Sequence, residues 1–485
     1  TRSLWLATAT PMQLEKIEAW DLLRLTRRAG SFLFDPTLTF EYYGCLGELM
    51  REEGLTDAEW HFIRSAINSV EEHDPMLWAF LRHAVIDARI RRPVRRWLEG
   101  GDEPRGRDRR LTRRLIFSSA PLSRVMMRHT RPLLELYREK GQLQQKLAAR
   151  EILPIPRITF TAQERRAYDE LDTYCDELSR QIRQHADEPA RHHLGFYKSF
   201  LRLRFASSFY AITETVKRRK DKARLTLEHL EAADQASEEL DAKAMESLVM
   251  EPEEEDPREV EEAVLKNRSA EDLRWELGKL DELLGALESL SGPSSKMREL
   301  FKTLDTRREA TTGRIEQTVI FTRFYDTLSE IVRQLRNRDP GMLIGTYSGQ
   351  GGQTTNPRTN RLLAVDRERV KHLYRRREID VLVCTDAAAE GLNLQTADLI
   401  INYDLPWNPM KLEQRIGRLD RIGQRHDHVF VLNLCYLGST EERVYGRLLR
   451  RLREAGKIVG TQQLSILPVQ PEEFRQLAEG ELDEE

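Results

Sequence analysis

Three side chains late in the chain carry its most legible chemistry. In QRIGRLDRIGQ, residues 414–424, the side chains Gln414, Arg418 and Arg421 are spaced by four and then three positions. On a helix that spacing puts them on one face. A planar guanidinium donates two parallel hydrogen bonds to phosphate oxygens. Two of them at one cleft suit the charge that develops as a phosphoryl group is transferred, where one arginine contributes a factor of roughly 10³ or more. The plainer reading of an arginine-rich run is a solvated, salt-bridged helix face. Gly417, Gly423 and Gln424 within the run, and the strand-and-loop units before it, weigh against that reading.

Such side chains need a scaffold, and the stretch around them supplies its pattern. VIFT, MLIGTYSG, DVLVCTD, DLIINYD and HVFVLNLCYL alternate with helical periodicity. Parallel strands need crossover helices, so this alternation predicts an α/β fold with a parallel, doubly wound sheet. Ligands of such sheets gather beyond the strand carboxyl ends. Thr322, Arg323, Ser348, Gly349, the stretch Thr385 to Asn393 and the stretch Asp404 to Pro409 all fall there. Trp407, in LPWNP, reads as packing rather than as a wedge between bases.

Four ordered motifs carry a resemblance. LATATPMQL (Leu6–Leu14), VIFTRFYDTL (Val319–Leu328), TDAAAEGLNLQTAD (Thr385–Asp398) and QRIGRLDRIGQ are similar to motifs III, IV, V and VI of superfamily 2 helicases. They most closely resemble the Swi/Snf-type translocases, including the bacterial RNA-polymerase-associated branch. Asp386, Ala388, Ala389 and Glu390 depart from the eukaryotic remodeller pattern, which favours a bacterial subfamily. The resemblance implies a RecA-like helicase C-terminal lobe, with Arg418 and Arg421 as fingers on the γ-phosphate of ATP and Gln414 in support. It places Gly391, Asn393 and Glu390 at the nucleotide. Gly391 permits close backbone approach, Asn393 can bond the nucleotide or couple two sites, and Glu390 can equally be structural. Thr322, Arg323, Ser348, Gly349 and Thr385 are placed at backbone phosphates, which position a strand but read no sequence. The hydroxyls among them serve equally well as helix caps. Thr8 and Thr10 would couple nucleotide state to nucleic acid.

The partners implied are ATP with Mg²⁺, double-stranded DNA, and an N-terminal ATPase lobe of the same protein. No GxxxxGK(S/T) loop and no acidic DE box after an apolar strand occurs in the sequence. The Mg²⁺ ligands and the phosphate-loop lysine are therefore expected from a first lobe, and this C-terminal portion of a longer enzyme is expected to lack ATPase activity alone. The alternative is a non-catalytic scaffold that binds nucleic acid or protein through a helicase-like lobe.

The rest of the chain is expected to divide as follows. Residues 1–30 form the tail of the first lobe, 31–150 a helical insertion, and 151–291 a helical bridge with an acidic mobile loop near 251–262. The RecA-like lobe covers 292–460, and 461–485 is an acidic tail. Thr56 with Glu59, and Thr161 with Glu164, read as capping boxes. Trp60, Ile63, Ile67 and Val70, and then Tyr168, Leu171, Cys175, Leu178 and Ile182, recur at helical spacing.

Composition excludes several classes. The 77 Lys and Arg nearly balance 80 Asp and Glu in 485 residues, so nucleic-acid binding must come from local patches. Arg91, Arg92, Arg95 and Arg96 are the patch favoured for DNA, whereas KRRKDKAR (residues 217–224) is left open between phosphate binding and a solvated face. The 4 cysteines are far apart and form no C-x-x-C pair, which argues against a zinc site or disulfide framework and for a reducing cytosol. No apolar run reaches the roughly 18 residues of a membrane span, and no signal peptide opens the chain.

Overall fold

A computed structural model describes residues 16–26, 30–50, 55–73, short stretches between 75 and 145, then 147–185, 188–233, 268–356, 358–386, 392–406, 409–443 and 445–446. The chain forms two compact units, one of residues 1–144, 408–413 and 448–467, the other of residues 145–407, 414–447 and 468–485.

The first unit is helical where it is described: α1 (Lys16–Thr26), a 3-10 turn (Gly30–Leu33), α2 (Pro36–Met50) and α3 (Asp57–His73). Helix α3 starts at the expected capping box, with Thr56 N donating to Glu59 Oε2 at 2.8 Å and Glu59 N donating to Thr56 Oγ1 at 3.3 Å. Its buried stripe is Trp60, Ile63, Ile67 and Val70, the set that the helical period selects. Trp97 packs edge-on against Trp60, and Tyr42 closes the unit by donating from its hydroxyl to Ile116 O at 2.8 Å.

The second unit begins with β1 (Ala149–Ile152) and four helices, α4 (Ala162–His185), α5 (Glu188–Ser207), α6 (Phe209–Ala233) and α7 (Ala270–Glu288). There follow α8 (Ser295–Thr306), β2 (Thr318–Thr322), α9 (Tyr325–Arg338), β3 (Ile344–Ser348), β4 (Gly351–Thr355) and β5 (Leu362–Val365). The remaining elements are α10 (Arg367–Arg375), β6 (Val381–Thr385), β7 (Leu399–Asn402), α11 (Pro409–Leu419) and β8 (His428–Asn433). They build one sheet in the order β1-β8-β7-β2-β6-β3-β4-β5. The five strands expected from sequence are β2, β3, β6, β7 and β8, and every residue of the first four is buried.

The expected parallel sheet forms, and at one edge β4 and β5 extend it antiparallel. Only Gly349 and Gln350 link β3 to β4, and Gly351 lies at φ +119°; so short a link can only reverse the chain. At the other edge β1 adds in parallel beside β8, with Ala149 N donating to Asp427 O at 2.7 Å. A strand that starts at Ala149 thus belongs to the sheet, not to a helical insertion running to residue 150.

The helices α4 to α7 pack around Tyr168, Leu171, Cys175 and Leu178, joined by Phe200, Phe205, Leu280 and Leu283. The second capping box forms, with Thr161 N donating to Glu164 Oε2 at 2.7 Å. In the middle of this bundle Glu276 accepts from Arg219 Nε at 2.7 Å, Arg268 at 2.9 Å and Tyr174 Oη at 2.8 Å. Burial alone would raise the Glu276 carboxyl, but the two guanidinium groups more than offset it and hold it below its usual range. The basic run at 217–224 is largely paired: Arg219 is buried on Glu276, while Arg218 on Asp326, Lys220 on Asp281 and Lys217 on Glu214 pair nearer the surface. Among the described residues no helix is long and apolar enough to cross a membrane.

Candidate functional site at the strand carboxyl ends

Asp404, just past β7, organises the edge of the sheet from which β2, β6 and β7 emerge. Its Oδ2 accepts from Thr322 Oγ1 at 2.6 Å and from Ser207 Oγ at 2.7 Å, and its Oδ1 accepts from the Arg323 backbone N at 2.6 Å. The residue is 3% exposed, so these donors replace the water that a carboxylate would otherwise keep. Arg323 stands beside this network, and burial pushes its guanidinium down to about 10 despite the nearby Asp404 and Asp386.

Helix α11 is fixed to the same edge by Arg415, whose side chain is fully buried. Its guanidinium grips both oxygens of Asp386, at 2.6 and 2.9 Å, and its third nitrogen reaches Asn402 Oδ1 at 3.0 Å and Asp404 O at 2.9 Å. This bidentate geometry is specific to arginine. One side chain thereby ties the ends of β6 and β7 to α11. Nothing in QRIGRLDRIGQ separates Arg415 from the other arginines by type. The usable signal is its phase: it falls one residue after Gln414, off the face shared by Gln414 and Arg418.

The turn after α11 is tied to the loop before β7. Leu394 N donates to Arg418 O at 3.2 Å, Gln395 Nε2 to Ile422 O at 2.6 Å, and the buried Gln424 donates from Nε2 to Ala397 O at 3.1 Å and Leu419 O at 2.9 Å. Gly423 supplies the reversal at φ +90°. Asp398, the last residue of the TDAAAEGLNLQTAD stretch, pairs with Arg307 and so holds the loop to α8.

The expected site residues are placed unequally. Gln414 and Arg418 lie on α11, both partly exposed. Arg421 does not continue their helical face, because α11 ends at Leu419; Arg421 sits in the following turn, and its Nε donates to Gly417 O at 3.0 Å. Thr322 does not offer its hydroxyl to a phosphate, since it is fully buried and donates to Asp404. Ser348 is likewise buried, with its hydroxyl on Gly351 O at 3.3 Å, and Thr385 is 7% exposed at the end of β6. These hydroxyls close strand ends because β2, β3 and β6 are interior strands. Gly349 is exposed, its carbonyl engaged by Arg367. Asn393 forms a local turn, its Oδ1 accepting from Gln395 N at 3.2 Å. Arg96 is exposed in a short helical turn. Thr8, Thr10, Arg91, Arg92, Arg95, Glu390, Gly391 and Trp407, and the acidic stretch 251–262, lie outside the described residues.

Among the described residues no group of three or more His, Cys, Asp or Glu side chains is arranged to hold a metal ion. Asp386 and Asp404, the acids at this edge, are already committed to Arg415 and to Thr322, Arg323 and Ser207. They do not fit a Mg²⁺ site.

A mostly parallel sheet with loops and an arginine-bearing helix gathered at its carboxyl edge defines a RecA-like α/β lobe. Residues 295–423 match the helicase conserved C-terminal domain, so the chain carries a helicase C-terminal lobe. It is 41% identical over 107 residues to the uncharacterized ATP-dependent helicase YqhH of Bacillus subtilis (strain 168), covering 22% of this chain and 19% of that protein. It is 43% identical over 88 residues to the RNA polymerase-associated protein RapA of Serratia proteamaculans (strain 568), covering 18% of this chain and 9% of that protein. The matches thus span less than a fifth of either relative. Among solved structures, the C-terminal part of the Fun30 ATPase domain is similar at 18% identity and a TM-score of 0.34, over 63% of this chain and 90% of that one. The Pyrococcus furiosus Hef helicase domain is similar at 15% identity and a TM-score of 0.35, over 68% and 64% of the two chains.

Proposed function

We propose that this chain supplies the arginine-bearing second lobe of a Swi/Snf-type, ATP-dependent translocase that moves on double-stranded DNA. The observation that carries the reading is the anchoring of α11 by Arg415: it holds Gln414 and Arg418 partly exposed at the strand carboxyl edge, with Arg421 in the turn behind them. ATP bound to a partner lobe of the same protein would draw the two lobes together. Arg418 and Arg421 then meet the γ-phosphate, Gln414 supports them, and the charge of the departing phosphoryl group is neutralised by fixed guanidinium groups. Hydrolysis and product release reopen the cleft and step the lobes along a DNA backbone. Mg²⁺, when bound with the nucleotide, adds charge neutralisation at the phosphates, and its protein ligands belong to the partner lobe. Four buried free thiols, Cys45, Cys175, Cys384 and Cys435, suit a reducing cytosol.

The test is ATP hydrolysis, with and without duplex DNA, by this chain alone and by the same chain joined to a RecA-like lobe that bears a phosphate loop. DNA-stimulated turnover in the joined protein and none in the chain alone is the expected result. No turnover in either, with both folded and the chain still binding DNA or protein tightly, would replace the motor with a scaffold.

A further inference from the structure

The helical bundle grips the corner between β2 and α9 at three points, one in the loop and two in the first turn of α9. Phe324 is part of the bundle core and meets Phe200 edge-on, with ring centroids 5.9 Å apart, while the Arg204 guanidinium lies 4.7 Å over the Phe324 ring. Asp326 is paired with Arg204 and with Arg218, the latter at 3.0 Å. Thr327 Oγ1 lies 2.8 Å from Ser207 Oγ. Ser207 is the last residue of α5, 2% exposed, and one residue separates it from α6.

The polarity of this chain of hydroxyls can be deduced. A hydroxyl has one proton, and Ser207 gives its own to the Asp404 carboxylate, so Thr327 must donate into Ser207. Thr322 likewise donates to Asp404 and accepts from Phe324 N at 3.4 Å. Asp404 therefore receives the Thr322 hydroxyl and the Arg323 amide from the loop, and the Ser207 hydroxyl from the bundle.

We propose that Ser207 is a positioning residue for the Thr322–Arg323 corner: through Asp404 it fixes the strand-end loop against which a DNA phosphate docks, and so makes that docking depend on the α5–α6 joint. The DNA part rests on the function proposed above; the clasp does not. Arg323 is partly exposed and its backbone is held at 2.6 Å, so the corner is preorganised, and loosening its anchor restores the freedom that binding must remove.

Hydrogen exchange on the whole chain tests the clasp. Ser207→Ala is expected to speed exchange at the amides of 322–327 by roughly tenfold, the size of one hydrogen bond to a charged group, and to leave the β6 amides unchanged. Ser207→Thr keeps the hydroxyl and is expected to restore protection. Unchanged exchange at 322–327 in Ser207→Ala overturns the proposal. So does equally fast exchange in Ser207→Thr, which would assign the effect to packing at the joint. In the same variants, fluorescence anisotropy with labelled duplex DNA at fixed salt is expected to show affinity falling roughly tenfold in Ser207→Ala and returning in Ser207→Thr. Equal DNA affinity in all three proteins overturns the docking role. A wild-type chain that binds no DNA removes the DNA reading, and the exchange result then decides the clasp by itself.

Discussion

Two buried networks of arginine and carboxylate lie in the same compact unit, and they are built from the same parts for different ends. Around Glu276 the helices α4, α6 and α7 close in: the carboxylate is 0% exposed, Arg219 1% and Arg268 9%. Around Asp404 and Arg415 the network is as deeply buried, yet it sits at the carboxyl edge of the sheet and holds residues that remain partly exposed, namely Gln414, Arg418 and Arg421. An ion cluster sealed within the helical bundle holds helices together. On the function proposed above, an equally buried cluster that fixes partly exposed arginines at a strand edge organises a site. Burial and charge are alike in the two; the placement of the outward neighbours separates them.

The largest expected effect breaks the sealed network. Glu276→Ala leaves Arg219 and Arg268 facing each other without their anion, and equilibrium denaturation of the whole chain should show a loss of about 3–5 kcal/mol. The edge network should respond in the opposite sense. Arg421→Ala, in the chain joined to a phosphate-loop lobe, is expected to lower DNA-stimulated turnover by at least roughly a hundredfold, about 2.7 kcal/mol of transition-state stabilisation, with an unfolding midpoint close to that of wild type.

Acid sharpens the contrast further. The folded Glu276 carboxyl lies below its ordinary value of 4.5, so its contribution is complete above that value and is lost as pH falls through the lowered folded value. Denaturation followed from pH 7 downward should therefore lose stability more steeply in wild type than in Glu276→Gln, which has no such carboxylate to protonate; parallel acid limbs would refute the assignment. The smallest effect is expected at the bundle surface. Arg274 and Glu231 pair at 2.6 Å while 60% and 47% exposed, and Arg274→Ala should cost only about 0.2–1 kcal/mol by denaturation.

The comparison also explains what could be read from the sequence. The strands β2, β3, β6 and β7 are interior, so their residues form apolar runs that stand out in any pattern. β4 reads GGQTT and β1 reads AREI; both lie towards the sheet edges and need little apolar character, so neither has a signature. The two capping boxes and the α4 stripe were legible because they are local. The candidate site was legible only in part. Gln414, Arg418 and Arg421 announced themselves through their spacing, but a reading confined to helix periodicity carried Arg421 past the end of α11. Thr322 and Ser348 look like phosphate ligands in one dimension, whereas their strands place them inside. Arg415 is hidden among similar arginines, and Ser207 lies 197 residues from the Asp404 it holds, a contact that no local pattern encodes.

The central claim, that the edge network serves a ligand while the bundle network serves the fold, is tested most directly by measuring DNA-stimulated ATP turnover and the unfolding midpoint together. The proteins to compare are wild type, Arg421→Ala and Glu276→Ala, each joined to a phosphate-loop lobe. The account predicts turnover lost by roughly a hundredfold in Arg421→Ala with the midpoint of wild type, and a clearly lowered midpoint in Glu276→Ala. Wild-type turnover in a folded Arg421→Ala protein would contradict it.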